Sequence, residues 1–260
     1  MNTGVAAAPD LDYTGERIVP GKTEEPLFRE HEARYIFAGR YVAGKEVLDI
    51  ACGSGVGTDY LRRAGAASCY GIDIDTRAIE YAKATYSRCR FAQGDALRIA
   101  LPDNSVDVVV SFETIEHISD QQKFISECNR VLRSSGLLVC STPNRSLYRW
   151  LPKNPYHVRE FTAQEFGGLL LEHFSEVALF SQAISIFPLY LARHFTARML
   201  DRLRLKRLAR KIIPRKIPPG MRNEFSGRNG GAICEICDYK RGWLKRPIYV
   251  VAVARNSVGS

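Results

Sequence analysis

Between residues 46 and 141 the chain alternates short apolar runs with longer segments in which apolar residues recur at helical spacing. The apolar runs predict strands at 46–50, 68–74, 90–93, 106–112 and 136–141, and the segments between them predict helices at 58–64, 76–87 and 121–133. Strands that are apolar along their whole length are buried on both faces, and the helices between them act as crossovers. The pattern predicts an α/β fold with a mostly parallel sheet.

The C-terminal part departs from this regular alternation. A helix at 163–172 and a strand at 176–180 are predicted after Pro143, and a last strand at 247–254. More than 60 residues separate the last two strands, far above the usual connection length. We therefore divide the chain into four regions: a lead-in at 1–44 with a helix near 27–41, a core at 45–180, an insertion at 181–246, and the last strand with its tail at 247–260.

The positive charge of the chain is concentrated in the insertion. The net charge is +9, but the segment from Leu191 to Arg222 holds 11 Lys/Arg and one acid, Asp201, so the other residues carry 26 basic against 27 acidic side chains. Leu191, Phe195 and later apolar residues recur every three or four positions, which predicts a basic amphipathic helix. Any inference about charged partners therefore concerns this segment alone.

Three interpretations of the basic segment remain open. It could lie on an anionic membrane surface or meet a lipid-linked acceptor, it could bind RNA phosphates, or it could be a lid helix whose charges are only solvated. Nucleic-acid surfaces usually add aromatic side chains that stack on bases, and this stretch has few. The order of preference is membrane, then solvated lid, then RNA.

Composition also limits the compartment and the metal chemistry. The seven cysteines are odd in number and mostly lie inside apolar runs, as expected for reduced, packed thiols. No signal peptide is evident, and the longest uncharged stretch, 177–192, is too short to span a bilayer. We expect a cytoplasmic protein that is at most peripheral to the membrane. The pair Cys234 and Cys237 has no second pair of ligands nearby, so we expect two thiols on a loop and no metal site.

The strongest local motif is a strand that leads directly into a glycine-rich turn, V-L-D-I-A-C-G-S-G-V-G at 47–57. Glycine lets the backbone pass close to a ligand, and the following helix N-terminus offers free N–H groups. Alone, such a turn is more typical of a tight strand-to-helix connection without a ligand. However, Asp73 follows Gly53 by 20 residues, which is the spacing of an acid that reaches ribose hydroxyls.

Two more polar clusters follow the next strands, Gly94-Asp95-Ala96 after the third and S-F-E-T-I-E-H at 111–117 after the fourth. Because carboxyl ends of parallel strands meet at one edge of the sheet, these clusters should converge on one crevice. The loop is not the G-x-G-x-x-G of dinucleotide binders and has no Walker lysine.

These residues together resemble the class I S-adenosylmethionine-dependent methyltransferases, over roughly 45–180. Within that class the chain is similar to small-molecule O-methyltransferases of the ubiquinone and surface-polysaccharide pathways. The resemblance implies a Rossmann-like, seven-stranded, mostly parallel sheet with a reversed last strand, and S-adenosylmethionine as cofactor. Ala51-Cys52 stands where Gly-Cys is frequent in the family.

The resemblance also implies roles for single residues. Asp49 would support the loop and the amino group of the cofactor, Asp73 would bind the ribose, and Asp95 would accept from the adenine amino group. A turn-capping role is the alternative for Asp95. The full set of expected cofactor-binding residues is Asp49, Cys52, Gly53, Gly55, Asp73, Ile74, Asp95, Ala96, Ser111 and Phe112.

The candidate catalytic residues are His117, Glu116 and His157. His117, next to Glu116 where the fourth strand opens into the crevice, is the first candidate for a base or substrate ligand. The alternative is a histidine that caps or packs against the helix at 121–133. His157 and Arg159 lie in a segment that borders the acceptor pocket in the family, although a surface loop before a Thr162–Glu165 capping box explains them too.

The lead-in contains further candidates, since its segments at 13–21 and 30–35 resemble methyltransferases of surface-polysaccharide synthesis, where they would close over the cofactor. Arg34 and Tyr35 are candidate cofactor contacts, or simply part of a solvated helix face.

The sequence therefore predicts methyl transfer to a hydroxyl of a small or lipid-linked acceptor, with a cell-envelope glycan preferred. The alternatives are a quinone-precursor O-methyltransferase, an RNA methyltransferase and a catalytically silent cofactor binder that serves as an interaction platform.

Overall fold

A computed structural model of the chain describes residues 9–15, 17–148, 154–184, 234–238 and 249–257. These form one twisted sheet with helices on both faces. The strands are β1 (Glu46–Ile50), β2 (Ser68–Asp73), β3 (Arg90–Gln93), β4 (Val106–Phe112), β5 (Leu132–Pro143), β6 (Glu176–Ile184), β7 (Cys234–Asp238) and β8 (Tyr249–Arg255). The helices are α1 (Glu25–Ala38), α2 (Val56–Arg63), α3 (Thr76–Thr85), α4 (Gln121–Val131), α5 (Arg145–Tyr148) and α6 (Ala163–Leu171), with 3₁₀ turns at Gly39–Tyr41 and Ile115–His117.

The sheet has the strand order β3-β2-β1-β4-β5-β8-β6-β7. Strands β1 to β5 pair in parallel, and β8 runs antiparallel between β5 and β6. This confirms the predicted Rossmann-like arrangement of seven strands with a reversed last strand, to which β7 adds an eighth strand at the edge. The chain reverses its direction across the sheet between β1 and β4, and ligands of open α/β sheets bind at such a switch point.

The structure corrects the prediction at the two ends of the insertion, at 181–184 and 234–238. Its first residues continue β6 as far as Ile184, and Cys234–Asp238 forms an additional edge strand, β7, antiparallel to β6. Cys234 and Cys237 therefore lie on a strand and not on a loop. The local sequence does not show this because a free partner edge, here that of β6, decides whether a short segment pairs as a strand. The basic segment at 191–222 lies outside the described residues.

Helices cover both faces of the sheet, as the apolar strands predict. Helices α4 and α6 pack over one face in a core that includes Phe124 and Phe166, both fully buried. Helices α1, α2 and α3 pack over the other face. Five cysteines of the core are free and buried, which confirms the packed thiols expected for most of the seven: Cys52, Cys69, Cys89, Cys128 and Cys140.

The lead-in helix α1 is part of the core. The sequence also allowed its polar residues to form a solvated face. Arg34 is fully buried and Tyr35 is 8% exposed, so the solvated-face interpretation is wrong for both. The ring of Tyr35 lies against the first turn of α2, where a Cβ on Gly57 would come within 1.9 Å of it. Gly57 therefore provides the space in which α1 docks onto the glycine loop.

The docking of α1 leads to a stability prediction for two glycines. Gly57→Ala should lower the free energy of unfolding by about 1–3 kcal/mol, because the added methyl group overlaps the Tyr35 ring. Gly168→Ala is the matched control, since Gly168 lies in α6 and a Cβ added there would have nothing within 4 Å. That change should be neutral or stabilise the helix by about 0.5–1 kcal/mol. Urea unfolding of both variants tests the docking, and equal stability of the two would refute it.

Candidate active site

The glycine loop after β1 is held in a backbone conformation that side chains resist. Gly53 and Gly55 have φ of 54° and 79°, and Ala51 has φ of 57°. For alanine this left-handed conformation costs roughly 1 kcal/mol, and such strain tends to persist where a site needs it. The Cys52 N–H donates to the carbonyl of Ile72 at 3.0 Å, which ties the loop to β2.

Asp49 lies near the end of β1, directly before this loop. It is 1% exposed, and its Oδ2 accepts from Thr58 Oγ1 at 2.6 Å. The hydroxyl of Tyr35 lies 3.3 and 3.4 Å from its two carboxylate oxygens. Burial raises the pKa of Asp49 to about 7, although these hydrogen bonds favour the ionised form. One carboxylate thus connects β1, α2 and α1.

Asp73 lies at the end of β2 beside the same loop. Its Oδ2 accepts from the Gly53 N–H at 2.8 Å and its Oδ1 from the Asp75 N–H at 2.9 Å. Arg17 from the lead-in donates to Asp75 at 2.6 Å, and its Cβ lies 3.5 Å from the position that a Cβ on Gly53 would take. The lead-in segment therefore lies over the glycine loop.

The residues after β3 form an exposed edge of the crevice. Asp95 Oδ1 accepts from the Leu97 N–H at 2.8 Å, so the turn-capping alternative is observed for this aspartate. The residue is exposed, and Ala96 beside it is half-buried. Ile74, just after Asp73, is 72% exposed, a large apolar surface at this edge.

Ser111 and Phe112 end β4 at the centre of the sheet, and both are buried. Among the described residues, none forms a hydrogen bond with Ser111 Oγ or with Ser54 Oγ of the glycine loop. Buried hydroxyls are normally satisfied, so two such groups on neighbouring strand ends favour a ligand that carries polar atoms.

Beyond Phe112 the chain forms a cluster of acids and histidines. Glu113 has φ of 52°, and its Oε1 accepts from Ser141 Oγ at 2.6 Å. Glu116 is fully buried, and its Oε2 accepts from Thr142 Oγ1 at 3.1 Å. Burial, followed by the charge of Glu113, raises the pKa of Glu116 well above its usual value. Both carboxylates are therefore fixed by hydroxyls of β5.

The three candidate catalytic residues, predicted from two separate motifs, meet in this cluster. Ligand atoms of Glu116, His117 and His157 all lie within 4.8 Å of one another. The two imidazole rings are 4.9 Å apart and nearly perpendicular. The Val158 and Arg159 N–H groups both donate to the Glu116 carbonyl, which brings the segment around His157 to the 3₁₀ turn.

Hydrogen bonds fix the orientation of both rings. His117 Nδ1 donates to the Tyr156 carbonyl at 3.1 Å, and its Nε2 lies 3.9 Å from Glu116 Oε1. The alternative of His117 as a helix cap is wrong, because the Asp120 side chain caps α4. The capping box of Thr162 and Glu165 before α6 is observed.

Sequence reasoning missed a buried polar network between α1 and the far strands. Arg34 Nη1 donates to Gln182 Oε1 at 2.7 Å, and Gln182 Nε2 donates to the Glu30 carbonyl at 2.9 Å. The Tyr249 hydroxyl donates to Glu30 Oε2 at 3.1 Å, while burial raises the pKa of Glu30 to about 7. Burial and the neighbouring Arg34 also lower the pKa of His31 well below its usual value. The partners lie 148 to 219 positions apart, so no local signal marks them.

The fold and site together define a Rossmann-like protein with a polar crevice at the switch point of its sheet. The family model described as a methyltransferase domain matches residues 48–140. A probable S-adenosylmethionine-dependent methyltransferase of Mycolicibacterium smegmatis is 43% identical over 164 residues, covering 62% of this chain and 63% of that protein. A ubiquinone biosynthesis O-methyltransferase of Cereibacter sphaeroides is 30% identical over 135 residues, covering 45% of this chain and 54% of that protein.

Solved structures show the same architecture. A SAM-dependent methyltransferase of Thermotoga maritima matches with a TM-score of 0.59 over 89% of this chain and 92% of that one, at 16% identity, a likeness of fold alone. The region at 48–140 is a methyltransferase domain of the class I S-adenosylmethionine-dependent type. The chain spans less than two thirds of the length of the curated relatives named above.

The residues present fit the cofactor that this family implies, S-adenosylmethionine. The ligand carries a ribose diol, an adenine amino group and a methionine part, each of which needs hydrogen-bonding partners. The fold offers the Asp73 carboxylate, the exposed Asp95 and the unsatisfied hydroxyls of Ser54 and Ser111 along one crevice. Ile74 offers an exposed apolar surface to an adenine face.

Replacing Asp49 by Asn should flatten the pH dependence of stability. Burial raises the pKa of this carboxyl from 3.8 to about 7, so between those pH values the folded chain holds a proton that the unfolded chain releases. The free energy of unfolding should therefore fall as the pH rises through this window. Asp49→Asn removes that contribution while it keeps an acceptor for Thr58. Melting temperatures of the cofactor-free protein at pH values of about 5 and 7.5 measure the difference.

Asp12→Asn is the control for this experiment, since Asp12 is exposed at the surface. Asp12→Asn should keep the pH dependence of stability of the unsubstituted protein. Its stability should therefore fall more toward neutral pH than the stability of Asp49→Asn. The same slope in all three proteins would show that the buried carboxyl does not titrate with the proposed shift.

Proposed function

We propose that the protein transfers the methyl group of S-adenosylmethionine to a hydroxyl of a small or lipid-linked acceptor. The observation that carries this proposal is the cluster of Glu116, His117 and His157. The cluster lies directly beyond Phe112, the last residue of β4, which ends at the centre of the crevice. A hydroxyl nucleophile must lose its proton when it attacks the methyl group, and these side chains are groups that can bind the hydroxyl and ease that loss.

The cofactor would lie across the ends of β1, β2 and β3. Asp73 would bind the ribose hydroxyls and Asp95 the adenine amino group, with Ala96 and Ile74 beside the ring. The loop at 51–55, supported by Asp49, would contact the methionine part, and Ser111 with Phe112 would form the floor near the reactive methyl group. The bound cofactor supplies the activated methyl group, and alignment of the nucleophile with it contributes about 7–11 kcal/mol in well-oriented reactions.

The protein's own groups would act on the acceptor side. His117 is the first candidate for the proton acceptor, because Nδ1 donates to the Tyr156 carbonyl and Nε2 is therefore the basic nitrogen of the neutral ring. His157 is oriented in the same way, since its Nδ1 donates to Glu160 Oε1 at 2.8 Å. Both rings are held in one tautomer before any acceptor arrives.

A sugar or glycan of the cell envelope is the preferred acceptor, and the segments of the lead-in that resemble polysaccharide-associated methyltransferases support it. A quinone precursor is the second candidate, supported by similarity to a ubiquinone biosynthesis O-methyltransferase. Both acceptors could be membrane-associated, which agrees with an anionic membrane surface as the proposed partner of the basic insertion. No described helix has the length and apolarity needed to cross a bilayer.

Asp73→Ala should weaken binding of S-adenosylmethionine by about 10- to 100-fold, the loss expected when hydrogen bonds to a charged group are removed. Isothermal titration calorimetry measures the affinity, and the melting temperature of each variant reports damage to the loop that Asp73 also supports. Asp103→Ala, at an exposed position bonded to Arg130, is the matched control and should bind normally. Unchanged affinity in a folded Asp73→Ala protein would exclude the ribose assignment.

His117→Ala should slow methyl transfer by about 100-fold or more, as expected for loss of a general base, with little change in cofactor affinity. His173→Ala is the control, because His173 lies outside the cluster and bonds to Gln122. Its turnover should equal that of the unsubstituted protein. Full activity in His117→Ala would remove this residue from the proton-transfer role.

The acceptor can be sought with methyl-labelled cofactor, purified protein and a lysate of the source organism. Label in the organic phase would support a lipid-linked or quinone acceptor, and label in water-soluble carbohydrate would support a free glycan. Label in RNA would overturn the preferred acceptor class. Cofactor binding without label in any fraction would favour a catalytically silent binder.

A further inference from the structure

The three residues at the acceptor end of β4 have the chemistry of a metal site. Glu116 offers a carboxylate oxygen, and His117 and His157 offer imidazole nitrogens, all within 4.8 Å of one another. Ligands around one transition-metal ion lie about 3–3.5 Å apart, given bonds of about 2.0–2.2 Å. Side-chain movements of roughly 1 Å would therefore bring the three ligand atoms close enough to surround one cation.

The atoms on the far side of each ligand are already held, as they are in protein metal sites. His117 Nδ1 donates to the Tyr156 carbonyl, and His157 Nδ1 donates to the Glu160 carboxylate at 2.8 Å. Metal-binding histidines almost always donate their other ring N–H to a carbonyl or carboxylate in this way. The second oxygen of Glu116 accepts from Thr142 Oγ1. All three side chains are thus oriented by partners that would remain in place around a bound ion.

An independent observation points to a ligand at this place. Glu116 is fully buried, yet no described residue donates a hydrogen bond to its Oε1, which faces His117 Nε2 at 3.9 Å. A buried carboxylate oxygen normally has a donor or a cation as its partner. The Asn154 amide, which lies 3.0 Å from His157 Nε2, would give up that contact when His157 binds an ion.

We infer that Glu116, His117 and His157 bind a divalent transition-metal ion at the acceptor end of the crevice. Two imidazoles and one carboxylate favour ions such as Mn²⁺, Fe²⁺ or Zn²⁺ over Mg²⁺ or Ca²⁺, which prefer oxygen ligands throughout. Glu113 lies three residues before Glu116 and accepts a hydrogen bond from the Ser141 hydroxyl. It adds negative charge near the proposed ion.

The role of this ion rests on the proposed function. An acceptor hydroxyl that binds a divalent cation through its oxygen loses its proton more readily, so the ion would assist the same attack for which His117 is otherwise the proton acceptor. The oxygen forms a bond to the methyl group, the methyl–sulfur bond breaks, and the proton leaves to solvent or a neighbouring base. Binding of the ion itself can be tested without knowledge of the acceptor.

The test is a titration of the chelator-treated protein with Mn²⁺, in which electron paramagnetic resonance measures the free ion. A separate titration uses Zn²⁺. Mn²⁺ is the sharper probe because thiolates, which this chain also contains, bind it weakly. The unsubstituted protein and His173→Ala should bind one ion per chain. Glu116→Gln and His117→Asn should weaken binding at least 10-fold. His117 is partly exposed, so that variant should fold even where the change at buried Glu116 does not.

Equal binding in all four proteins, or no binding of either ion to the unsubstituted protein, would overturn the site. Calorimetry with S-adenosylmethionine on the same samples separates the two proposals, since cofactor binding depends on other residues. Chelation should then reduce labelled methyl transfer at least 10-fold, with recovery on addition of Mn²⁺. Retained transfer after chelation, with the ion demonstrably bound beforehand, would overturn the catalytic role of the ion and leave direct proton transfer to His117.

Discussion

The buried carboxylate of Asp49 is the interaction on which the crevice depends. It connects the end of β1 to α2 through Thr58 and to α1 through Tyr35. The strained turn at Ala51–Gly55 lies between these anchors, so its conformation is fixed by a group at its base and by Asp73 at its side. Without these anchors the loop, which holds several left-handed residues, would be free to adopt many other conformations. Asp73 accepts a hydrogen bond from Gly53 of this turn, while Asp49 holds the helix that follows the turn through Thr58.

The crevice separates two kinds of chemistry along the strand ends. The ends of β1, β2 and β3 carry carboxylates and exposed apolar surface, as needed for recognition of an adenosine-like ligand. The end of β4 and the segment after β5 carry imidazoles and buried carboxylates, as needed for proton or metal chemistry. Phe112 stands between them and contacts the Tyr35 ring edge to face at 5.1 Å. The division follows from sheet order, because β4 is the strand on the other side of the switch point.

The sequence predicts much of this fold because its signals are local. Strands β1, β3 and β4 begin and end where their apolar runs do, and α3, α4 and α6 begin at the predicted positions 76, 121 and 163. Predictions of strand ends fail where pairing with a distant strand determines how long the strand is. β5 begins at Leu132 because that residue pairs with Val106 of β4, and β6 continues to Ile184 because its last residues pair with β7. Pairing with a neighbouring strand is not visible in local composition.

The same distinction explains the candidate site. Asp49, Asp73 and the 111–117 segment follow strands directly, so motif spacing suffices to bring them to one edge. Arg34 and Glu30 carry no such signal, because burial of charged residues depends on partners such as Gln182 and Tyr249 on remote strands. The meeting of His117 with His157 is an intermediate case. Each residue is a candidate from its own motif, but only the hydrogen bonds of Val158 and Arg159 to Glu116 show that they share one site.

The buried network around Glu30 and Arg34 has a further consequence for the acceptor side. It joins α1 of the lead-in to β6 and β8, the two strands between which the insertion lies in sequence. Arg34 also lies over the Tyr249 ring at 4.5 Å, and its charge favours the ionised form of both Glu30 and Glu116. A change in how α1 packs would therefore alter the electrostatics of the acid and histidine cluster as well as the support of the glycine loop by Tyr35. Arg34 and Tyr35 are adjacent in α1, so one helix holds both the buried network with β6 and β8 and the contact with Asp49.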